Sequence, residues 1–516
     1  MNEKITIIHT SDIHGYILPI NYANNKLENI GLAKIASAIK TYRNNNLILI
    51  DSGDTIQGSP MMYIHQKHFK NTIQPMAKIL NYLSYDYFIP GNHDFNYGKN
   101  YLKEFTDNLN AKTLCANIFT NNNKLFFNNS YDIYNSKKGV KLAIIGLTTE
   151  YIPNWEQPAH IKNLTFKSVI DSLKKILLEI KPQNPDTIIV VYHGGFEKDL
   201  DTFKPVIKNT NENVASSIIE QFPEIDVLLT GHQHRKISRK IKNILVSQPG
   251  SRGENFSCIE MEFNKTNKWN LLSSKISLHD STLYKADKKV INLVSKEEKI
   301  TQNKLNQVIG YVENKSLIIN NQFEARINKH PIVSLINKIQ LESSGAMISA
   351  MSLANDSTGF NEKITVRNVL STYPFANSLS IVKISGQKLK LALEENAKYF
   401  TINNNKITIS KEFSKPKEQH YNYDMFDGIE YTIKVSNPIG KRIISLTRKG
   451  KKIKSDDTFT MVLNNYRAAG GGDFKIFKNL EIIKEIPKDV SVIIIEYIQK
   501  NKIIKPIDNK NIIIIK

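Results

Sequence analysis

The first half of the chain repeats one pattern, in which a short apolar run ends in a turn that carries aspartate, asparagine or histidine. The runs are rich in Ile, Leu and Val, and stretches of helical spacing, such as residues 31–42 and 74–83, lie between them. Strands that alternate with helices predict a layered α/β fold. The polar residues that follow five of the runs are Asp12 and His14; Asp54; Asn92 and His93; His193; and His232 and His234. Because open α/β sheets bind ligands at the carboxyl ends of their strands, we expect these side chains to form one site.

The residue types in these turns favour a metal site. Aspartate and imidazole ligands together suit Mn²⁺ or Zn²⁺, with iron or cobalt as alternatives, better than they suit Ca²⁺. Asp12 and His14 are two residues apart, so an extended segment would point both side chains the same way. The sequence has two cysteines, Cys115 and Cys258, which cannot build a disulfide framework or a thiolate cluster.

The length of the chain, 516 residues, predicts more than one domain, since single cores stop growing at roughly 250–300 residues. Residues 285–305 are rich in Lys, Glu and Gln, and Val290, Leu293 and Val294 recur there at helical spacing. This pattern predicts an exposed connecting helix. We therefore expect one domain over residues 1–280, a connection over 281–307, and a mixed α/β domain over 308–516.

The chain is basic, with 70 Lys and Arg against 49 Asp and Glu, a net charge of +21. Such a charge attracts nucleotides, RNA or anionic lipid, but the absence of a dense basic block favours compositional bias over a nucleic-acid arm. We expect no stable nucleic-acid complex. No stretch approaches the roughly 18–20 apolar residues of a membrane span, and the first residues do not form a signal peptide. A cytoplasmic monomer or small homo-oligomer is expected, or an exported protein if a leader was removed.

The order Asp-x-His, Gly-Asp, Gly-Asn-His-Asp, His, Gly-His-x-His resembles the calcineurin-like metallophosphoesterase superfamily. The resemblance implies a four-layer α/β/β/α sandwich for the first domain and two divalent metal ions, Mn²⁺ or Zn²⁺ with iron or cobalt as alternatives. It also implies the ligands: Asp12, His14 and His234 for one ion, Asn92, His193 and His232 for the other, and Asp54 bridging both. His93 would stabilise the transition state or protonate the leaving oxygen of a phosphate ester.

The second half resembles the C-terminal domain of bacterial 5′-nucleotidases. The resemblance rests on residues 355–400, which include Tyr-Pro-Phe-Ala-Asn at 373–377, and on Asn-Asn-Tyr-Arg-Ala-Ala-Gly-Gly-Gly-Asp-Phe at 464–474. It implies that Phe375 and Tyr466 stack on the nucleobase of a small nucleotide substrate, a contact that tolerates any base. Asp473 would contact the ribose.

Two departures refine the resemblance. Three residues after His93, where 5′-nucleotidases carry an aspartate that orients the catalytic histidine, this chain has Asn96, as in the 2′,3′-cyclic-nucleotide 2′-phosphodiesterase/3′-nucleotidase branch. An asparagine lacks the charge but can still fix the ring. The Asn-Gly-Gly-Gly-Ile-Arg segment that grips substrate in 5′-nucleotidases is also missing, so the candidates for a phosphate-binding arginine are Arg326, Arg367 and Arg467.

These features together predict a nucleotide hydrolase in nucleotide catabolism that opens 2′,3′-cyclic nucleotides and then removes the 3′-phosphate. A 5′-nucleotidase or broad nucleotide phosphatase is the alternative within the family. Two other functions are possible outside the nucleotidases. One is a nucleotide- or RNA-binding protein with an idle metal site, which the positive charge favours, and the other is a structure-specific nuclease of the same superfamily. The complete set of ligands argues against the idle site, and the nucleotidase-like second half argues against the nuclease.

Overall fold

A computed structural model describes residues 1–43, 46–69, 72–205, 211–313, 317–375, 377–415, 418–468, 470–478, 480–486 and 488–516. Ala376 and Ala469, which belong to the two nucleotidase-like motifs, lie outside the described residues. The chain divides into two compact units, Met1–Thr301 and Gln302–Lys516. The finer division at residues 280 and 307 stays a prediction. None of the helices within the described ranges is long and apolar enough to cross a membrane.

Unit 1 is built on two sheets, each with six strands in the described part of the chain. The first contains, from edge to edge, Trp269–Asp280, Asn255–Lys265, Asn2–Thr10, Leu47–Asp51, Tyr87–Phe88 and Lys112–Thr113. The second contains Lys236–Ile241, Ile244–Pro249, Val227–Thr230, Thr187–His193, Lys141–Thr148 and Tyr131–Asn135. The inner strands of both sheets run parallel, so that their carboxyl ends share an edge.

Apolar side chains cover both faces of each sheet, which explains why the two sheets pack together with helices on their outer faces. Ile7 of the first sheet and Ile189 of the second belong to one buried cluster between the sheets. Val190, the next residue along its strand, points the opposite way and joins a cluster with Leu173 and other helix residues. Ile8 of the first sheet is also fully buried. Strands covered on both faces read as continuous apolar runs, and the predicted α/β/β/α sandwich is confirmed.

Two helices of unit 1, Leu32–Tyr42 and Pro75–Leu83, lie where the sequence has helical spacing at residues 31–42 and 74–83. The bounds of the unit 1 helices are Leu32–Tyr42, Pro60–His68, Pro75–Leu83, Lys99–Asp107, Val169–Ile180, Ala215–Gln221, Lys288–Leu293 and Ser295–Leu305, the last reaching into unit 2. Short two-stranded sheets pair Ile20–Asn21 with Lys26–Leu27 and Ile118–Thr120 with Leu164–Phe166.

The predicted single connecting helix is wrong, because the segment forms two helices that break at Val294. That residue leaves helical geometry (φ −116°, ψ 10°), and it is fully buried together with Val290. The segment is also not exposed along its whole length. Glu297 pairs with Lys78, and Glu298 accepts a 2.7 Å hydrogen bond from the Tyr22 hydroxyl. These contacts fasten the start of the second helix to unit 1.

Unit 2 is the mixed α/β region that the sequence predicts. Its largest described sheet contains Asp424–Asp427, Ile348–Ser352, Thr458–Asn464, Leu379–Ser385 and Glu481–Ile486. Smaller sheets contain Lys451–Lys452, Ile443–Arg448, Glu430–Lys434 and Ile512–Ile515; Lys363–Thr365, Val308–Val312 and Ile503–Ile504; Leu317–Ile318 and Gly359–Phe360; and Phe400–Asn403 and Lys406–Ile409. Its helices are Gln322–Ile327, Pro331–Ser344, Val366–Thr372, Gly386–Asn396, Asn465–Ala468 and Val490–Asn501.

Candidate metal centre and catalytic histidine

Asp12, His14 and His234 form one candidate metal group in unit 1. Their ligand atoms all lie within 4.8 Å of one another. Nε2 of His14 is 3.1 Å from Nε2 of His234, which in turn is 3.4 Å from Oδ1 of Asp12. Nitrogen and oxygen atoms that converge in this way are suited to a divalent metal ion.

A second candidate group contains Asp54, His193 and His232, again with ligand atoms within 4.8 Å of one another. The predicted fourth ligand, Asn92, lies among them: its Oδ1 is 3.1 Å from Nε2 of His193 and 2.8 Å from Nδ1 of His232. The structure thus brings all the predicted ligands together in two groups. That Asp54 bridges both ions stays a prediction.

The prediction that Asp12 and His14 share an extended segment is wrong, although the two residues do belong to one group. The strand ends at Thr10, and both residues then adopt left-handed backbone conformations, with φ of 53° and 51°. The same holds for Asp54, His232 and His234, with φ of 54°, 71° and 55°. Positive φ is uncommon for residues other than glycine and clusters at functional sites. The strained backbone of these turns therefore directs the side chains toward the two candidate groups.

Bonds outside the two groups hold the imidazole rings in orientation. Each of three rings uses one nitrogen for an outer acceptor and turns the other toward its group. The pairs are His14 Nδ1 with Gln57 O at 3.0 Å, His193 Nδ1 with Ser52 O at 2.7 Å, and His232 Nε2 with Glu212 Oε1 at 3.0 Å. Metal-binding histidines usually have such partners, so the residues present fit a pair of divalent ions.

Burial and mutual charge set the protonation of these groups. Burial lowers the pKa of His14 to about 3, which leaves the neutral imidazole that binds metal. Burial would raise the pKa of Asp12, but the hydrogen bond and charge of His234 hold it below its ordinary range. Burial would lower the pKa of His193, but the charge of Asp54 raises it to about 10. His193 and Asp54 form a buried ion pair, with Nε2 of His193 3.3 Å from Oδ2 of Asp54.

Asp94 joins the turns that carry Asp54 and Asn92. Its carboxylate accepts hydrogen bonds from the backbone N–H groups of Asp54, Thr55, Ile56 and Gly91, at 2.8–2.9 Å. Burial raises the pKa of Asp94 to about 6, and the charge of Asp54 contributes. Gly91 allows the close approach, since a Cβ atom there would lie 2.3 Å from Oδ1 of Asp54. The sequence analysis assigned no role to Asp94. Its position at the end of the Gly-Asn-His-Asp motif could have indicated that it supports the site.

His93 lies beside these groups and bonds to Asn96, as the sequence predicts for this pair. Nδ1 of His93 is 2.7 Å from Oδ1 of Asn96, and the backbone N–H of His93 donates to Oδ1 of Asp54 at 2.7 Å. The amide nitrogen of Asn96 donates to Oε2 of Glu156 at 2.6 Å. Glu156 is buried, and no motif in the sequence marks it.

The residues predicted to bind the base lie in unit 2. Phe375 is half-buried and meets the rings of Tyr373 and Tyr421 edge-on, at centroid distances of 5.5 and 6.3 Å. Tyr466 is half-buried and packs over Gly471, and Asp473 is exposed with φ 67°. Tyr421 is an aromatic neighbour that sequence reasoning missed. Their roles in binding stay predictions.

The three candidate arginines for phosphate are bonded to protein atoms. The Arg326 guanidinium donates to the carbonyls of Gln322, Leu353 and Ala354, and the Arg367 guanidinium donates to the side chains of Gln302 and Asn306. The Arg467 guanidinium donates to Oδ1 of Asp424 at 3.1 Å and forms an ion pair with that carboxylate. All three are at least nine-tenths buried. These contacts hold the three side chains in unit 2, and a role for any of them in binding phosphate stays a prediction.

Both halves match known families. Residues 5–236 match the calcineurin-like phosphoesterase family, and residues 308–479 match the C-terminal domain of 5′-nucleotidases. A Staphylococcus aureus protein assigned as a 5′-nucleotidase is 34% identical, with a TM-score of 0.91 over 100% of both chains. The chain belongs to the 5′-nucleotidase family. As a member of this family, it is a metal-dependent phosphoester hydrolase.

More distant members of the family have several activities in their names. The trifunctional nucleotide phosphoesterase protein YfkN of Bacillus subtilis is 25% identical over 98% of this chain, which spans 38% of the length of that protein. The 2′,3′-cyclic-nucleotide 2′-phosphodiesterase/3′-nucleotidase of Salmonella typhimurium is 26% identical over 90% of this chain and 81% of its own length.

Proposed function

We propose that this member of the 5′-nucleotidase family opens 2′,3′-cyclic nucleotides to 3′-nucleotides and then releases the 3′-phosphate. The observation that carries the proposal is the bond between Asn96 and His93, because the 5′-nucleotidase pattern has aspartate at position 96. The cyclic-nucleotide branch has asparagine there. The name of the Salmonella typhimurium relative includes both activities.

We propose that the two candidate groups each bind one divalent ion, Mn²⁺ or Zn²⁺, with Asp54 shared. Such ions, when bound, polarise phosphoryl oxygens and make a water molecule nucleophilic near neutral pH. The protein contributes the orientation of the ligands through Gln57, Ser52 and Glu212.

His93 is proposed to protonate the leaving oxygen. Its Nδ1–H is donated to Asn96, so Nε2 is the atom that faces substrate and transfers the proton. In the first reaction the leaving group is the 2′-oxygen of ribose, and in the second it is the 3′-oxygen. Both are poor leaving groups as alkoxides, so both reactions need the same proton donor.

Unit 2 is proposed to supply the base contacts. Phe375 and Tyr466 would stack on the base, with roughly 1–3 kcal/mol for each stacked base and little preference among bases. Asp473 would contact the ribose. A base contact of this kind serves both reactions, since the base is unchanged when the cyclic phosphate opens.

A substrate panel tests the proposal. The protein is reconstituted with Mn²⁺ or Zn²⁺ and incubated with 2′,3′-cyclic AMP, 3′-AMP or 5′-AMP, and products are separated by chromatography. We expect 2′,3′-cyclic AMP to yield 3′-AMP and then adenosine, without accumulation of 2′-AMP. The variant His93→Ala, purified identically, controls for contaminating phosphatases.

Hydrolysis of 5′-AMP alone would contradict the proposal. The 5′-nucleotidase alternative would then hold, and the 34% identity to the Staphylococcus aureus structure supports that alternative. Comparable turnover of all three nucleotides would indicate a broad nucleotide phosphatase.

A further inference from the structure

A chain of hydrogen bonds leads from His93 to a buried carboxylate. Nδ1 of His93 is 2.7 Å from Oδ1 of Asn96, and Nδ2 of Asn96 is 2.6 Å from Oε2 of Glu156. The asparagine therefore uses its acceptor for the imidazole and its donor for the carboxylate. Only this orientation of the amide satisfies both neighbours, because a carboxylate can only accept.

Glu156 is itself held firmly. Its other oxygen, Oε1, accepts from the backbone N–H of Gln157 at 2.7 Å and lies 2.8 Å from Nδ1 of His160. The residue is 8% exposed. The preceding residue, Trp155, stacks on His232 of the second metal group. The segment is thus packed against both the metal centre and the residue that orients His93.

From these contacts we infer that Glu156 is a positioning residue that acts on His93 through the amide of Asn96. The inference rests on the proposed role of His93 as proton donor. The carboxylate fixes the amide orientation, the amide oxygen then accepts from Nδ1–H, and Nε2 is left to face the substrate. A charged acceptor at the end of the chain also polarises the amide and strengthens its bond to the imidazole. Asn96 and Glu156 together thus orient the His93 imidazole, as a single aspartate does in the 5′-nucleotidase pattern.

A charge exchange between the two positions tests the inference. Glu156→Gln removes the charge and leaves the side-chain shape almost unchanged. Asn96→Asp places a second carboxylate against Glu156, so the two groups repel. In the double variant Asn96→Asp/Glu156→Gln, the carboxylate introduced at position 96 accepts from His93, and the amide introduced at position 156 donates to that carboxylate. The double variant therefore restores a fully bonded chain with one charge.

The assay uses aryl phosphates, from p-nitrophenyl to phenyl phosphate, which need no nucleotide recognition. We expect Glu156→Gln to lower kcat by about tenfold on phenyl phosphate, and less on p-nitrophenyl phosphate, whose leaving group needs little protonation. KM and bound metal should stay unchanged. Asn96→Asp should also lower kcat, and the double variant should recover most of the loss.

Glu150→Gln is the matched control, since Glu150 bonds to the backbone N–H of Val169 and the side chain of Asn211 rather than to Asn96. It should retain kcat on every substrate. Wild-type kcat for Glu156→Gln on phenyl phosphate would overturn the inference, as would a double variant no better than the worse single variant. Loss of metal in Glu156→Gln would assign Glu156 a structural role instead. A negative result in the nucleotide panel leaves this assay intact, so the two failures are distinguishable.

Discussion

The indole ring of Trp155 stacks on the imidazole ring of His232, with centroids 5.4 Å apart and ring planes inclined by 25°. The polar edges of the same imidazole are held as well, because Nε2 lies 3.0 Å from Oε1 of Glu212 and Nδ1 lies 2.8 Å from Oδ1 of Asn92. One predicted ligand is thus fixed on its face and on both edges. A ligand oriented before metal binds loses less conformational freedom when it does.

Trp155→Ala should therefore weaken binding at the second metal group. We expect about a tenfold loss of metal affinity, the lower end of what the removal of an outer partner of a ligand costs. Titration of metal-free protein with Zn²⁺ or Mn²⁺ in a calorimeter measures the effect. Trp155→Phe retains a stacking ring and should bind almost normally. Equal affinity in Trp155→Ala and wild type would show that Glu212 and Asn92 are sufficient to orient the ring.

The strand ends and the grouping of the predicted ligands could be predicted because their physical signals are local. Apolar runs predict buried parallel strands, and the carboxyl ends of such strands meet at one edge, which is why Asp12 and His193 could be expected in one site from sequence alone. The conformation of the turns was less accessible. The positive φ of Asp12 and His14 depends on neighbouring turns: the N–H of Asp12 bonds to the carbonyl of Gly53, and the N–H of His14 to that of Asp54.

The supporting residues could not be predicted, since their roles depend on contacts between distant parts of the chain. Glu156 is 60 positions from Asn96, and Glu212 is 20 positions from His232. Each is an acidic residue in a loop, and nothing in its immediate sequence indicates which distant side chain it contacts. The break at Val294 was not predicted either, and it lies where Val290 and Val294 are both fully buried.

His93→Ala should separate chemistry from metal binding. The contact of His93 with Asp54 runs through its backbone N–H, which alanine retains. The metal content, measured by atomic emission, should therefore match wild type. Loss of the imidazole should lower kcat by about 10²- to 10⁴-fold, the usual contribution of a general acid. A variant that lost metal along with activity would contradict the assignment of His93 as a residue outside the ligand groups.

Gly471→Ala should displace the ring of Tyr466. A Cβ atom at this glycine would lie 2.5–2.7 Å from three carbon atoms of that ring, so the ring has to move. If Tyr466 stacks on the base, KM for nucleotides should rise by an amount equivalent to about 1–3 kcal/mol at most. Steady-state kinetics measure the change, and kcat should hardly alter.

The double variant Gly471→Ala/Tyr466→Ala checks the cause, because it should be no worse than Tyr466→Ala alone if both act through one ring. Gly450→Ala is a control for general destabilisation, because its added methyl group meets no atom within 4 Å but its φ of 75° strains an alanine. It should lower stability without raising KM. Additive effects of the two substitutions would mean that Gly471 acts independently of Tyr466.

Removal of metal should abolish activity and lower the thermal stability of unit 1. The two candidate groups place His193 against Asp54, and Asp12 against His234, and Asp12, Asp54 and His193 are almost completely buried. Ions that bind the folded state and not the unfolded state stabilise it by about 2.7 kcal/mol at a concentration 100 times Kd. Calorimetry before and after dialysis against a chelator should show a lower Tm, and added Mn²⁺ or Zn²⁺ should restore both Tm and turnover.

Two variants serve as controls for the metal effect. Glu150→Gln should respond like wild type, whereas Asp54→Asn should show a smaller shift in Tm. An unchanged Tm with full loss of activity would mean that the ions act in the chemistry and contribute nothing to the stability of the fold.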